Sequence, residues 1–430
     1  MQVGTILLIM LALIVAFIIF EFLRKKPHQA MAVYYAGMFL KRFIFPTTRV
    51  RESVVIQIAL FLICLFLASI GYANNRAKKS LKPSRIPVME KGFLVIGTVV
   101  FIELINGFFF GYGLFAMMVD VYKVLEIFLY YFCFTRMWRT KKDMEEAVSV
   151  LTIEMCIFGT IEMFLTERGG VGLNMIMCFA PIIFALGFYT KQKRFWVVIV
   201  CSLIVVLVSK TRTYLFGFVL SILLTFLFAN GRNKKKIAYI GLILLIVGTL
   251  FIVVYSRMAN SELLSTIFER FLELASGFEE AGGYRIYEIR TAWRKFLEDP
   301  LLGKGYGYLE YVYIETQGTI LWGDFMHNVY MEILVKTGIF GVLFYGIGLI
   351  AYCVKQHKKI ATSRHIKNKE TGYLIGGLTG TYSWLFIYIA APLSSFGYVF
   401  IPGMVGMLYS WLCQKEETSK MLDGEKTEII

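Results

Sequence analysis

Of the chain's four histidines, His28, His357 and His365 sit in basic tracts and read as solvated surface, and His327 stands apart. It lies at the end of a long polar stretch, where an apolar run opens with His327-Asn-Val-Tyr-Met-Glu-Ile-Leu. An imidazole titrates near neutrality, so at a membrane interface it could take a proton from a hydroxyl group. The alternative is an inert neighbour of a helix N-terminus. Arg212 follows Ser209-Lys210-Thr211 at the junction of two apolar runs. A guanidinium so near hydrocarbon costs ~2.5–3.5 kcal/mol at mid-bilayer and less at the interface. It is either a snorkelling anchor or an anion ligand, because its donor fork matches phosphate oxygens. Arg285 and Arg290 add two more guanidiniums shortly before His327. If they share one side of a membrane, these residues suit a lipid-linked pyrophosphate at its surface.

Other ionisable groups fall inside apolar runs or at their edges: Glu103, Asp120, Glu126, Glu154, Glu162, Glu332 and Lys336. Such groups face protein or a wet cavity. Either they relay protons, as in a transporter, or they pair with one another, as Glu332 and Lys336 can at i, i+4. Metal and nucleotide signatures are absent: there is no HExxH, no GxxxxGK[ST] and no CxxC. The Gly303-Lys-Gly-Tyr-Gly307 turn is a weak phosphate-loop lookalike. No metal or cofactor is expected, and the seven cysteines read as small hydrophobes in apolar segments.

The elements that must position these residues are membrane helices. The 430 residues are 57% hydrophobic and only 17% charged, and the charges cluster between apolar runs. Runs of about 20 residues match a ~30 Å hydrocarbon core at 1.5 Å per residue, and lipid forces backbone hydrogen bonds to be internal. The expected fold is all-α, a polytopic bundle of about a dozen spans. Residues 1–256 hold nine of them, 327–414 hold three more, and 415–430 form a cytoplasmic tail. Between them, 257–326 form one large extracytoplasmic loop. Basic tracts at 74–91, 136–142, 191–194, 232–236 and 355–369 fall on alternate connections, as a cytoplasmic location requires. The net charge of +15 is therefore a topology signal, not a nucleic-acid footprint. Residues 24–52 break the pattern with seven basic residues on an outward connection. Either they lie on the membrane surface, or 30–46 form an extra short span.

The loop 257–326 carries eleven acidic and seven basic residues, a net charge of −4. Within it Ile286, Ile289, Trp293 and Phe296 recur at helical spacing, which predicts an amphipathic helix. Asp299-Pro300 ends that helix, and Gly303, Gly305 and Gly307 make a turn suited to close backbone approach.

Several pieces together resemble the O-antigen ligase and polymerase-like membrane glycosyltransferases. His327-Asn-Val-Tyr-Met-Glu-Ile-Leu-Val-Lys-Thr-Gly338-Ile-Phe-Gly341 resembles the family's "HN, L, G-x-x-G" signature. Ser209-Lys-Thr-Arg212 is similar to its "S-x-[ST]-R" motif, and Arg285, Trp293 and Pro300-Leu-Leu-Gly-Lys-Gly-Tyr-Gly307 to its "R…W…P-x-[LI]-G-x-G" loop. Arg168-Gly-Gly-Val-Gly-Leu-Asn174 is similar to a looser "R-x-x-G…N" stretch. The resemblance covers about 165–350, and Lys210 departs from it where a small or apolar residue is usual.

The resemblance implies transfer of glycan from a polyprenyl-pyrophosphate carrier to a hydroxyl on the outer face of a bacterial plasma membrane, without metal or nucleotide sugar. Arg212 and Arg285 would bind the pyrophosphate and His327 would orient or deprotonate the acceptor, with Arg290, Arg168 and Lys210 as secondary candidates. A polymerase of capsular, exo- or O-antigen repeat units is favoured over a ligase by a composition rich in Phe, Tyr, Ile and Lys. A flippase and a chain-length regulator of the same pathway are the implied partners. A lipid-oligosaccharide or ion-coupled transporter is the competing class, disfavoured by the absence of repeat halves.

Overall fold

The computed structural model describes residues 15, 17–44, 50–74, 83–165, 170–190, 192–209, 211–229, 231–258, 284–314, 319–323, 327–363, 369–390 and 393–427. After helical residues 17–25 come α1 (Ala30–Ile44), α2 (Val50–Asn74), α3 (Pro87–Phe109), α4 (Leu114–Met137) and α5 (Lys141–Leu165). Next are α6 (Val171–Thr190), α7 (Arg194–Val208), α8 (Arg212–Phe228), α9 (Gly231–Met258) and α10 (Tyr284–Glu298). A hairpin of β1 (Glu310–Ile314) and β2 (Thr319–Gly323) precedes α11 (Val329–Ser363), α12 (Lys369–Ile387) and α13 (Phe400–Thr427).

Among the described residues, six helical segments are long and apolar enough to cross a membrane: Val55–Asn74, Pro87–Phe109, Lys141–Phe164, Val171–Thr190, Val329–Thr362 and Phe396–Thr418. Two apolar helices, Arg194–Val208 and Thr213–Phe228, are shorter. The molecule is thus a multi-pass helical membrane protein. Helix α4 falls outside the six although it sits in the bundle, because Asp120, Lys123 and Glu126 interrupt its apolar run.

Burial is uneven in the way a bilayer requires. The α6 and α13 windows are 89% buried, whereas those of α2 and α3 are 28% buried. Large apolar side chains such as Phe66, Leu94 and Ile347 stand exposed on the outer helices, which water would not tolerate over so wide a surface. At the centre α12 packs against α6, α8 and α13. Its glycines permit this: a Cβ on Gly376 would fall on the backbone of Ile182, and one on Gly377 would lie 2.7 Å from the Pro402 carbonyl oxygen. With no gain from burying oil in oil, close backbone approach is what joins membrane helices.

Three details sharpen the sequence expectations. The all-α class holds, with the addition of one short antiparallel hairpin in which Tyr311 pairs with Trp322 and Tyr313 with Ile320; its β-branched and aromatic composition favours extended backbone. Residues 30–44 are helical and tied to the bundle, with Tyr34 and Tyr35 buried where α1 packs on α2 and α5. His28 is buried rather than solvated, with Nε2 3.0 Å from Glu146 and Nδ1 3.6 Å from Asp143.

Candidate active site

His327 sits at the mouth of α11. The following residue, Asn328, caps that helix: its side-chain Oδ1 accepts from Met331 N at 3.0 Å, and its carbonyl accepts from Glu332 N at 3.0 Å. Asn328 Nδ2 also donates to the Ile389 carbonyl at 3.0 Å, tying the mouth of α11 to the end of α12. The cap fixes where the preceding histidine stands.

Glu288 on α10 fixes how its ring faces. Its Oε1 lies 3.0 Å from His327 Nδ1, and its Oε2 accepts the His327 backbone N–H at 3.2 Å. Glu288 is buried while the His327 side chain keeps 28% of its surface open. A carboxylate beside Nδ1 favours the tautomer with its proton on that nitrogen, which leaves Nε2 as the basic one. Sequence reading named the histidine and missed its carboxylate. The only signal for Glu288 was its position in the amphipathic helix.

Helix α10 is held against α11 by Ala292 and Phe296 packing on Val335. The expected apolar face is therefore turned: Ile289, Trp293 and Leu297 are exposed, forming an i, i+4 ridge away from the bundle.

The glycine turn after α10 explains the bend in α11. Gly338 has φ +61° and splits α11 into two helical pieces. In the gap, the Val335 and Lys336 carbonyls accept Lys304 N at 2.8 Å and Gly305 N at 2.9 Å. In return Ile339 N and Phe340 N donate to the Pro300 and Leu301 carbonyls at 2.9 and 3.1 Å. The turn also locks onto α3, where Tyr306 N donates to the Glu103 carbonyl at 3.2 Å and a Cβ on Gly305 would lie 2.6 Å from Gly107 N. Gly307 N donates to Asp120 Oδ2 at 2.9 Å. Every N–H that could cradle a phosphate is thus used, and the phosphate-loop lookalike is a structural lock.

Below it lies a buried quartet. Asp120 Oδ1 accepts from Lys336 Nζ at 2.7 Å and Lys123 Nζ at 3.0 Å, and Glu332 Oε1 accepts from the same two at 3.0 and 3.2 Å. Two acids meet two bases, so pairing accounts for them and the relay reading of these residues loses its support. Lys123 had not been singled out from sequence. Glu126 accepts from Gln57 at 2.7 Å and Tyr130 at 2.9 Å, and Glu162 accepts from Gly172 N at 3.0 Å.

Arg212 is the first residue of α8, and Arg285 lies one turn before Glu288 on α10; their side chains lie outside the described residues. Arg290 is on the exposed surface of α10. Arg168 and Lys210 lie outside the described residues. The start of α8 nonetheless shares one end of the bundle with His327. Tyr214 stacks edge-on to Trp384 at 6.0 Å, Trp384 lies 6.3 Å from Tyr388, and Tyr388 lies 6.1 Å from Tyr330 at the head of α11. Tyr214 also donates to Asn174 Oδ1 at 2.6 Å, which joins the first turn of α6 to the same end.

A histidine–carboxylate pair, a glycine lock and a helix-opening arginine thus lie in one segment in a fixed order. That segment is matched by a protein-family model. Residues 197–346 match the O-antigen ligase family. The match runs from within α7 to the first half of α11, so it contains Arg212, Arg285, Glu288, Arg290 and His327, and it bears out the O-antigen ligase and polymerase-like resemblance. No curated protein matches the chain. The match spans about a third of the chain, and with the membrane helices it supports a membrane enzyme of the O-antigen ligase or polymerase type.

Proposed function

We propose that the protein is a polysaccharide polymerase of the bacterial plasma membrane that joins polyprenyl-pyrophosphate-linked oligosaccharide repeat units on the outer face. The observation that carries this reading is the contact between His327 Nδ1 and Glu288 Oε1 at 3.0 Å inside the O-antigen ligase segment. In the reaction the acceptor hydroxyl oxygen attacks the anomeric carbon of the donor. The bond from that carbon to the pyrophosphate oxygen breaks, and the carrier leaves as polyprenyl pyrophosphate. The hydroxyl proton passes to His327 Nε2, with Glu288 stabilising the resulting charge. Arg212 and Arg285 neutralise the leaving pyrophosphate, which is electrostatic stabilisation where charge develops. Arg290, Arg168 and Lys210 add positive charge around it. The guanidiniums do the work a metal would otherwise do. Composition rich in Phe, Tyr, Ile and Lys favours a polymerase over a ligase that caps a lipid or protein acceptor.

The test uses the full chain in nanodiscs with native polyprenyl-pyrophosphate repeat units and excess EDTA, beside a His327→Ala sample. The expected product is a ladder of repeat multiples that the variant does not make. Transfer only after a separate acceptor is added would establish the ligase instead. An inhibited ladder under EDTA would remove the metal-independent mechanism.

A further inference from the structure

A second site lies at the far end of the bundle. Lys355 and Lys359 are some twenty-six and thirty residues along α11 from its start at Val329, roughly 40 Å at 1.5 Å per residue, about the thickness of a bilayer. There a cavity of about 300 Å³ opens between α3, α11 and α13, lined by Arg85, Lys91, Lys355 and Lys359 and by apolar groups including Met407 and Trp411. Two of the basic tracts that mark the cytoplasmic side, 74–91 and 355–369, thus meet in one hollow.

The charges are not all neutralised by neighbours. Arg85 Nε pairs with Glu90 at 3.0 Å, and Lys359 Nζ donates to Ser410 Oγ at 3.1 Å, which in turn donates to Glu370 at 2.7 Å. Among the described residues, no carboxylate lies within ion-pair reach of Lys91 or Lys355. Lys415 Nζ lies 5.1 Å from the Trp411 ring centroid. The walls continue as lipid-facing surface: Leu94, one turn beyond Lys91 on α3, is 76% exposed, and Ile350 on α11 is 64% exposed.

We propose that this cavity holds the headgroup of an anionic phospholipid, its phosphate between Lys91 and Lys355. The acyl chains run along Leu94 and Ile350. A soluble anion needs only the cations. The apolar floor of Met407 and Trp411, and walls that run on into the hydrocarbon zone, fit a molecule with a charged head and an oily tail. Basic pockets between spans on the cytoplasmic side attract anionic lipid, each cation adding an appreciable increment of affinity. The site is remote from His327 and stands whether or not the proposed transfer does.

The test is native mass spectrometry of the full chain in neutral detergent, titrated with short-chain phosphatidylglycerol, phosphatidylcholine or inorganic phosphate. The wild type is expected to retain phosphatidylglycerol at least tenfold better than phosphatidylcholine. The Lys91→Gln/Lys355→Gln double variant should lose roughly tenfold or more of that binding. Lys91→Arg/Lys355→Arg, which keeps the charge, should retain it and thereby separates lost binding from lost folding. Lys295→Gln, at the other end of the molecule, should change nothing. Equal retention of both lipids, or undiminished binding by the Gln variant, would overturn the proposal. So would displacement of phosphatidylglycerol by inorganic phosphate at comparable concentration, which would make this a site for free anions.

Discussion

Glu288 Oε1 lies 3.0 Å from His327 Nδ1 across 39 residues of chain that include a helix end, a glycine turn and a hairpin. The pair exists only because α10 is packed on α11 by Phe296 and Val335 and because Asn328 caps α11.

This pairing sets the first expectation. His327→Ala should lower turnover by ~10²–10⁴-fold, the usual worth of a general base. Glu288→Gln keeps the size of the side chain but loses the charge that stabilises imidazolium, and should lower kcat by about 10-fold or more with donor KM little changed. Steady-state measurement of ladder formation separates the two parameters. A Glu288→Gln enzyme with wild-type kcat would remove the carboxylate from the mechanism.

The glycine lock makes a prediction about stability within one helix. In Gly338→Ala a side chain is forced into φ +61°, ψ −165° and onto the Leu301 carbonyl; that essentially glycine-only conformation alone costs ~1–3 kcal/mol. Gly346→Ala, eight residues on in α11, has no neighbour within 4 Å of its new Cβ and should stabilise by up to ~1 kcal/mol. Thermal unfolding in detergent should order the three proteins accordingly.

The quartet should show strong coupling. Asp120→Asn leaves two lysines facing one carboxylate, and breaking a buried pair in this way costs ~3–5 kcal/mol. In Asp120→Asn/Lys336→Met the remaining Lys123 and Glu332 still neutralise each other at 3.2 Å. The double variant should therefore lose much less than the two single losses added. Additive losses in a double-mutant cycle would show that the charges do not act together.

An acid-sensitive contact lies where α10 meets the lock. Lys295 and Lys304 hydrogen-bond to Glu298 and hold its carboxyl down at about 2. A folded-state value below the ordinary ~4.3 means its contribution is complete above that range and is lost as pH falls toward 2. The group is exposed, so the effect is small. The difference in melting temperature between wild type and Glu298→Gln should shrink steadily from pH 6 to pH 3.

The helices were legible because runs of about 20 apolar residues leave lipid-spanning helix as nearly the only solution. His327 was legible as a lone imidazole at the edge of such a run. Glu288 was not, because nothing local distinguishes it from the loop's ten other acids; its partner is set by tertiary packing. Lys123 was hidden for a similar reason, since one charge beside Asp120 reads as a single ion pair and not as half of a quartet. The turn at 303–307 carries the same glycines as an anion-binding loop, and only the destinations of its N–H groups show otherwise. His28 was misplaced because neighbouring lysines and arginines suggested solvent, while Trp138 Nε1 donates to its carbonyl at 3.2 Å within the bundle.

The quartet also bears on how the chain enters its bilayer. Asp120 and Lys123 are three residues apart on α4, Glu332 and Lys336 four apart on α11, and each pair is in contact at 3.0 Å. Each helix can therefore leave the translocon already neutral, sparing much of the ~2.5–3.5 kcal/mol that a lone charge costs at mid-span. Lys123→Met should thus reduce insertion of α4 in a glycosylation-mapping assay, and adding Asp120→Asn should restore it. The two pairs meet only after the later helix arrives some two hundred residues further into synthesis, so the cross-links form when each residue, still holding its turn-neighbour, gains a second partner on the other helix.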